Sequence, residues 1–369
     1  MIKLLQLFFL IILFVACKPK EFQHFSPVDS LFNYGGRTLE VNGNRVLVSA
    51  ASYVEFKFTG DSCIVDLINL AAGDNYNYVS IEIDGKYIGR IKVAGDSIRS
   101  IPIQTSTKIN SSKDSQSHVV RIFKATEALN GQVIFAGARA EKLERIPARA
   151  KRKIEFIGNS ITSGMAVDAS MIPCDSGQWY DQHNAYLAYG PLLARSLDAD
   201  FMLSSISGVG VYRTWNMDEP NMREAYESAY LDRDSSVRWN FNDYQPDLVS
   251  ICLGTNDLSD GDGKNPRKPF DSTVFVNSYL DLLRIVYHRY PNAKLALLTS
   301  PMISGEKATL FFRCLNRIKL KAEAIHAGKK IAIFDFPAMT PHGCSYHPDA
   351  RDHEIMANLL KPFIEEVFK

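Results

Sequence analysis

The sequence predicts a two-domain α/β protein, in which a β-sandwich of jelly-roll type precedes a flavodoxin-like α/β domain. The chain has 369 residues, which is long enough for two domains with separate hydrophobic cores. Its first third contains short apolar or alternating runs broken by Gly and Asp turns. From about Lys153 such runs alternate with longer helical patterns. Strands without helices indicate a sandwich, and alternation indicates a parallel sheet.

The first 17 residues predict an export signal. An apolar run from Leu4 to Val15 is too short to cross a bilayer comfortably. It is followed by Ala16 and Cys17, which is typical of a bacterial lipoprotein cleavage site with Cys17 as the lipidated residue. Phe14 departs from the usual leucine, so a plain signal peptide or an uncleaved anchor is the alternative. We expect an exported lipoprotein of the bacterial cell envelope, on the periplasmic face or the cell surface, with residues 18–34 as a linker.

Residues 35–145 form the predicted sandwich. Turns such as Thr59-Gly60-Asp61 and Asp84-Gly85 separate the strands. The seven predicted strands are Arg45–Ala50, Ser52–Thr59, Cys63–Asn69, Tyr76–Ile83, Tyr87–Val93, Val119–Lys124 and Gln132–Ala136.

Residues 153–369 form the predicted α/β domain. Strand-helix alternation implies parallel strands with right-handed crossovers, so reactive loops should gather at the carboxyl ends of the strands. The predicted strands are Ile154–Ile157, Phe201–Ser205, Leu248–Leu253, Leu295–Thr299 and Ile331–Phe334, and the predicted helices are Ala185–Ser196, Val274–Arg289, Thr309–His326 and His353–Phe368.

Composition excludes several classes of partner. There are 42 Lys plus Arg and 41 Asp plus Glu, a net charge of +1, so no overall field attracts nucleic acid or anionic lipid. No C-x-x-C pair suggests zinc. We therefore expect neither nucleic acid nor metal, and membrane contact only through the N-terminal anchor. The sequence does not indicate an oligomeric state.

A serine and a histidine are the candidate catalytic pair. Ser160 lies where the first predicted parallel strand ends, which is a position typical of a nucleophile. His347 lies in a loop before the last helix and can present a ring nitrogen to a serine as general base.

Two further strand ends carry candidate oxyanion donors. Asn256 follows the third strand of this domain and offers an amide. Gly208 follows the second strand, where the absence of a Cβ lets the backbone approach a ligand.

The order of these segments resembles the SGNH (GDSL-type) hydrolases. The matching blocks are G-N-S-I-T at residues 158–162, S-G-V-G at 207–210, G-T-N-D at 254–257 and H-P at 347–348. The preceding sandwich with Val119–Glu127, together with Gly343–Pro348, is more narrowly similar to carbohydrate esterase family 2. The resemblance implies a serine esterase without a cofactor, with Ser160 as nucleophile and His347 as base. It implies the Ser160 N–H, the Gly208 N–H and the Asn256 amide as oxyanion donors.

Two positions depart from the usual SGNH pattern. Asn159 replaces the commoner Asp, which should change scaffolding hydrogen bonds more than chemistry. Cys344 stands three residues before His347, where many members have the orienting Asp. A dyad is therefore expected, with a main-chain carbonyl near Cys344 or another carboxylate, such as Asp335 or Asp349, orienting His347.

Loop residues give two more predictions. Trp179, Tyr212 and Trp215 lie in loops after the first two parallel strands, where they could stack on a sugar or simply pack. Cys174 and Cys344 lie in loops expected at the active-site end, and an exported protein can join them in a disulfide. The other cysteines, Cys63, Cys252 and Cys314, are expected to be small buried hydrophobes.

These features together predict a carbohydrate O-deacetylase, similar to acetyl xylan esterases, that acts on acetylated plant-type poly- or oligosaccharides. Two alternatives stay open: an SGNH esterase of bacterial cell-wall glycans or lipids, and a glycan-binding surface lipoprotein with vestigial activity.

Overall fold

The computed structural model describes residues 21–105, 116–148, 151–326 and 328–369. The predicted signal segment, including Cys17, lies outside these ranges. Within them, no helix combines the length and the apolar character needed to cross a membrane.

Two antiparallel sheets of six strands each form the N-terminal domain. Strand order is β3-β4-β11-β6-β9 in the first sheet, with β1 also on β11, and β12-β5-β10-β7-β8 in the second, with β2 also on β5. The strands are β1 (Gln23–Phe25), β2 (Asn33–Gly35), β3 (Thr38–Val41), β4 (Asn44–Leu47), β5 (Tyr53–Thr59), β6 (Ser62–Leu70), β7 (Asn77–Ile83), β8 (Lys86–Val93), β9 (Arg99–Gln104), β10 (Ser117–Lys124), β11 (Gln132–Ala140) and β12 (Lys142–Glu144).

Burial along single strands explains how the two sheets pack. In β5, Val54, Phe56 and Phe58 are buried while the residues between them are partly exposed, so one face meets the other sheet. Every residue of β7 is buried. This strand has the sandwich core on one face and the second domain on the other.

The linker prediction for residues 18–34 is wrong from Gln23 onward. The strand β1 pairs with Ala138–Ala140 of β11, and β2 pairs with Tyr53–Glu55 of β5. Both are three-residue edge strands, too short to show the alternation by which the other strands were found. The sequence analysis also missed β3 and β12, which have four and three residues, for the same reason. It missed the six-residue β9 as well, in which only Ile101 and Ile103 are buried.

The second domain contains a five-stranded parallel sheet in the order β14-β13-β15-β16-β17. This is the flavodoxin-like order, so the predicted fold class is confirmed. The strands are β13 (Lys153–Gly158), β14 (Asp200–Ser205), β15 (Leu248–Cys252), β16 (Lys294–Leu298) and β17 (Ile331–Phe334). The chain leaves β13 toward β14 on one side and returns to β15 on the other, which opens a crevice at the carboxyl ends of these strands.

Helices cover both faces of this sheet. One apolar cluster joins α2 and α6 to Phe156, and another joins α4 and α5 to Ile157, so neighbouring residues of β13 point to opposite layers. The helices are α1 (Ser160–Ser163), α2 (Tyr189–Ser196), α3 (Met222–Ala225), α4 (Ser272–Arg289), α5 (Gly305–Ile325) and α6 (Ala350–Phe368). The helix predicted at Ala185–Ser196 is divided, because Ala188 is extended between a 3-10 turn and α2.

The outer face of β7 binds the two domains together. Three residues spaced two apart on this face form hydrogen bonds with side chains of the α/β domain. They are Tyr78 and Ser80, which donate, and Glu82, which accepts. Beside them, the ring of Phe123 in β10 packs against Phe201 of β14. The domain boundary is therefore a well-packed interface.

Candidate active site

Ser160 lies at the carboxyl end of β13, as the first residue of α1. The side chain of Asn159 caps this short helix, since its Oδ1 accepts from the backbone N–H of Ile161 at 3.1 Å. Ser160 itself is 6 % exposed. The amide at position 159 thus supplies a scaffolding hydrogen bond beside the serine, as expected.

His347 is brought to Ser160 from the loop before α6. Its Nε2 lies 2.8 Å from Ser160 Oγ, and its Nδ1 lies 2.8 Å from the carbonyl oxygen of Ser345. Because a carbonyl can only accept, Nδ1 carries the proton and Nε2 is left to accept from the serine. Burial lowers the pKa of His347, and the Ser345 carbonyl opposes part of that shift. The imidazole is therefore held neutral and in the tautomer that a general base needs.

The orienting group is thus a main-chain carbonyl and not a carboxylate. Asp335 accepts from Thr299 Oγ1, and Asp349 caps α6 by accepting from the N–H of Asp352. Neither carboxylate hydrogen-bonds His347 in the structure. Of the alternatives left open by the sequence, the structure contains the carbonyl.

The loop that supplies this carbonyl has an unusual backbone. Ser345 and Tyr346 both lie in the left-handed region, with φ of 51° and 58°. Such a conformation costs a non-glycine residue on the order of 1 kcal/mol or more, so the surrounding structure must stabilise it. The preceding residue, Cys344, is anchored by a disulfide to Cys174, the pair predicted from the sequence, with a Cα–Cα distance of 5.1 Å.

The candidate oxyanion donors follow the neighbouring strands β14 and β15. Gly208 has φ of 77°, and a Cβ there would lie 3.0 Å from Cδ1 of Trp215. Asn256 is buried and donates one hydrogen of its amide to the carbonyl oxygen of Val209 at 2.9 Å. An amide has two hydrogens, so one is left to donate elsewhere. The structure thus places Ser160, Gly208 and Asn256 at one edge of the sheet.

A buried carboxylate fixes the loop that follows Gly208. Asp257 accepts from the backbone N–H groups of Val211 and Tyr212 at 2.9–3.0 Å. Burial raises the pKa of Asp257 to about 6, against the opposing effect of these hydrogen bonds. Sequence reasoning quoted this residue within the G-T-N-D block but assigned it no role.

The β-sandwich also contributes to this end of the sheet. Glu127, which follows β10 and is fully buried, accepts from the N–H of Ser207 at 2.7 Å and from Ser163 Oγ at 3.0 Å through the same oxygen, Oε2. Glu127 also was missed, although the sequence run that ends at it was singled out.

The aromatic candidates divide into two groups. Trp215 and Trp179 are 41 % and 46 % exposed, and Trp179 packs edge-on against His183. Tyr212 instead packs against Phe270 and Phe275, and its hydroxyl accepts from the N–H of Asp271. Tyr212 is partly buried, and its backbone N–H donates to Asp257, so its role in substrate binding stays a prediction.

The remaining cysteines fit the prediction. Cys63, Cys252 and Cys314 are free and buried. Across the described ranges, no group of three or more His, Cys, Asp or Glu side chains is arranged to hold a metal ion.

A serine hydrogen-bonded to an oriented neutral histidine, beside amide and backbone donors, defines a serine hydrolase on a flavodoxin-like sheet. Residues 156–356 match the GDSL-like lipase/acylhydrolase family, and residues 34–149 match the carbohydrate esterase 2 N-terminal domain. The chain belongs to this family of hydrolases, with the N-terminal domain of carbohydrate esterase family 2, and it is a carboxylic ester hydrolase.

Known esterases are similar to this chain in sequence and in structure. An acetylxylan esterase / glucomannan deacetylase of Cellvibrio japonicus is 28 % identical over 68 % of this chain and 69 % of its own length. The cellulase/esterase CelE of Acetivibrio thermocellus is 31 % identical over 71 % of this chain, but over only 31 % of its own length. A family two carbohydrate esterase from Clostridium thermocellum, solved in complex with cellohexaose, superposes with a TM-score of 0.77 at 26 % identity, covering 91 % of this chain and 98 % of that one.

Proposed function

We propose that this chain is a carbohydrate O-deacetylase that removes acetyl groups from acetylated plant-type poly- or oligosaccharides. The single observation that carries the proposal is the hydrogen bond of 2.8 Å between Ser160 Oγ and His347 Nε2, in a chain whose relatives are an acetylxylan esterase / glucomannan deacetylase and similar esterases. Acetylated xylan and glucomannan are therefore the first substrates to test.

In the proposed mechanism, the Oγ of Ser160 attacks the acetyl carbonyl carbon while His347 Nε2 takes the proton of that hydroxyl. The carbonyl oxygen becomes an oxyanion, for which the N–H groups of Ser160 and Gly208 and the free hydrogen of the Asn256 amide are the donors. His347 then gives the proton to the departing sugar oxygen, which leaves an acetyl-Ser160 ester. His347 then takes a proton from water, which attacks this ester, and returns that proton to Ser160 Oγ as the acetyl group leaves as acetate.

The test is acetate release by the purified protein from acetylated xylan, acetylated glucomannan, O-acetylated cell-wall glycan and a triacylglycerol. Release from the plant glycans at a much higher kcat/KM supports the proposal. A preference for cell-wall glycan or lipid would favour the rival esterase reading. Binding of xylo- or cello-oligosaccharides without any acetate release would favour a vestigial, glycan-binding role.

Ser160→Ala is the matched control. We expect the same unfolding temperature and a kcat lower by several powers of ten, since nucleophile and base act as one unit. Retention of more than about a tenth of the activity would remove Ser160 from its role, because even one lost oxyanion donor costs on the order of a hundredfold.

We also propose export of the chain and lipid attachment at Cys17. The disulfide between Cys174 and Cys344 supports an oxidising compartment, where such bonds persist. Metabolic labelling with a radioactive fatty acid, compared between the natural chain and Cys17→Ser, tests the attachment. Equal labelling of both chains would contradict it.

A further inference from the structure

The loop that carries the predicted oxyanion donor Gly208 is fixed from both sides. The N–H of Ser207, directly before it, donates to Glu127 Oε2 at 2.7 Å. The carbonyl of Gly208 accepts from the N–H of Trp215 at 2.9 Å. These hydrogen bonds hold the Ile206–Ser207 and Gly208–Val209 peptide groups. The Ser207–Gly208 peptide group, which carries the N–H of Gly208, lies between them and therefore has little freedom to rotate.

Only one of these two restraints comes from outside the α/β domain. Glu127 belongs to the segment between β10 and β11 of the sandwich, and it reaches across the interface. Its Oε2 also accepts from Ser163 Oγ, three residues after the nucleophile. Ser163 Oγ also lies 2.9 Å from Ser205 Oγ, at the end of β14. A single oxygen thus connects the helix of the nucleophile to the oxyanion loop.

The position of Glu127 is itself held by a second buried residue. Lys124 Nζ donates to the backbone carbonyls of Thr126 at 3.0 Å and Glu127 at 2.6 Å. Burial lowers the pKa of Lys124 to about 7, and the charge of Glu127 opposes this shift. The other carboxylate oxygen, Oε1, has no hydrogen-bond partner among the described residues, and His183 Nε2 lies 3.9 Å from it. Glu127 therefore accepts hydrogen bonds only through Oε2 among the described residues, from Ser163 of the nucleophile helix and from Ser207 of the oxyanion loop.

We propose that Glu127 is a positioning residue for the esterase reaction, through which the β-sandwich domain fixes the oxyanion loop relative to Ser160. The inference rests on the proposed serine-esterase function. It makes the sandwich a part of the catalytic centre as well as a neighbouring domain. Since the donors must be in place before charge develops on the carbonyl oxygen, loosening the loop weakens transition-state stabilisation more than substrate binding.

Two substitutions of similar size separate the acceptor from the bulk of the side chain. Glu127→Gln keeps an oxygen that can accept from both donors. Glu127→Met fills the same volume and removes the acceptor. Both variants take the charge of Glu127 away from the buried Lys124, so that effect is matched between them. We expect kcat for 4-nitrophenyl acetate to fall at least 30-fold in Glu127→Met with KM within threefold, and to stay within fivefold in Glu127→Gln. Inhibition by methylboronic acid, which forms a tetrahedral adduct with the serine, should weaken in parallel with kcat.

Ser80→Ala is the matched control for interface stability, because it removes the buried hydrogen bond between the domains to Asn184 Oδ1 at 2.8 Å without contacting the oxyanion loop. It should lower the unfolding temperature and leave kcat within twofold. A kcat of folded Glu127→Met within threefold of the natural chain would overturn the proposal, as would equal losses in the Met and Gln variants.

If Glu127→Met does not fold, Ser163→Ala takes its place, because it removes the hydroxyl that holds Oε2. A loss of at least threefold in kcat at constant KM supports the proposal, and an unchanged kcat overturns it. Failure of the deacetylase proposal is separate: it would be seen as a natural chain that turns over 4-nitrophenyl acetate but no acetylated glycan.

Discussion

At the scale of single residues, the substitution of a carbonyl for a carboxylate beside His347 changes the energetics of the base. An Asp would stabilise the imidazolium by its full charge, whereas the Ser345 carbonyl offers only a dipole. Burial then has the larger effect, and the pKa of His347 falls below its ordinary value of 6.5. The site therefore keeps a neutral base over a wide range of pH.

This lowered pKa predicts how activity depends on pH. Protonated His347 cannot take the proton of Ser160, so kcat/KM should fall only as pH drops through an apparent pKa below 6.5, and it should be level from there to at least pH 8. The measurement is kcat/KM for an acetyl ester from pH 4 to 9. An acidic limb with a midpoint above 7 would contradict the neutral dyad and point to a carboxylate partner.

At the scale of elements, the loop from Cys344 to His347 needs support from outside itself. It contains two consecutive left-handed residues, and its attachment to the loop of Cys174 closes 170 residues of chain. A cross-link of this span stabilises the folded state by about 5 kcal/mol in the chain-entropy model. The disulfide thus both stabilises the domain and holds the base.

We predict that Cys174→Ser/Cys344→Ser lowers the unfolding temperature and reduces kcat at least tenfold, because the Ser345 carbonyl loses its anchored position. Dithiothreitol should reduce the activity of the natural chain and leave that of the double variant unchanged. Cys63→Ser is the control for loss of a buried thiol. Full activity of the reduced natural chain would show that the loop holds its geometry without the bond.

The loops after β13 and β14 predict the size of the acyl group. Trp179 and Trp215 are exposed there, and the segments around them lack a continuous aliphatic stretch. Each methylene buried by a lipase contributes about 0.8 kcal/mol, which this surface offers little means to gain. We expect kcat/KM to be higher for an acetyl than for an octanoyl ester of one leaving group.

A Trp215→Ala variant tests whether that ring binds the sugar. If it does, the variant should lose more activity toward an acetylated oligosaccharide than toward 4-nitrophenyl acetate. Faster octanoyl cleavage would argue against the carbohydrate assignment, while equal effects on both substrates would remove only the stacking role of Trp215.

The sequence predicted features that depend on neighbouring residues in the chain, and it missed features that depend on contacts between distant ones. Long alternating or helical runs placed most of the strands and the main helices. Strand-end motifs placed Ser160, Gly208 and Asn256 at one edge, and the loop before the last helix supplied His347. The packing of the Tyr212 ring on Phe270 and Phe275 could not be predicted, because the backbone N–H of Tyr212 donates to Asp257, 45 residues away in the chain. Glu127 was missed for a similar reason: its contacts lie 36 and 80 residues away in the chain.

At the scale of the whole molecule, the interface between the domains contains a buried ion pair. Arg37 of the sandwich is fully buried and donates to the carbonyls of Ser228 and Tyr226 at 2.7 and 2.8 Å. Its guanidinium lies 4.0 Å from Glu155, a buried residue of β13, the interior strand of the parallel sheet that leads to the nucleophile. The two domains should consequently unfold together, in a single transition.

Substitution of one member of this pair tests that coupling. Arg37→Met leaves Glu155 buried without its cation, which should destabilise the protein by about 3 to 5 kcal/mol. Arg37→Met/Glu155→Met should be more stable than the single variant, because it removes the uncompensated charge even though the two carbonyls stay without their donor. Chemical denaturation of the natural chain and of both variants measures these differences.

The single variant should also show a distinctive pH dependence. Burial already raises the pKa of Glu155, and loss of Arg37, whose charge lowers it, should raise it further. The folded carboxyl then keeps its proton at a pH where the unfolded one has lost it, so unfolding releases a proton and stability falls as pH rises above the ordinary value of 4.5. Arg37→Met should therefore be closer in stability to the natural chain at pH 5 than at pH 8, and the double variant should not show this trend. Two separate unfolding transitions in the natural chain, or a deficit in Arg37→Met that is independent of pH, would mean that the pair does not couple the domains.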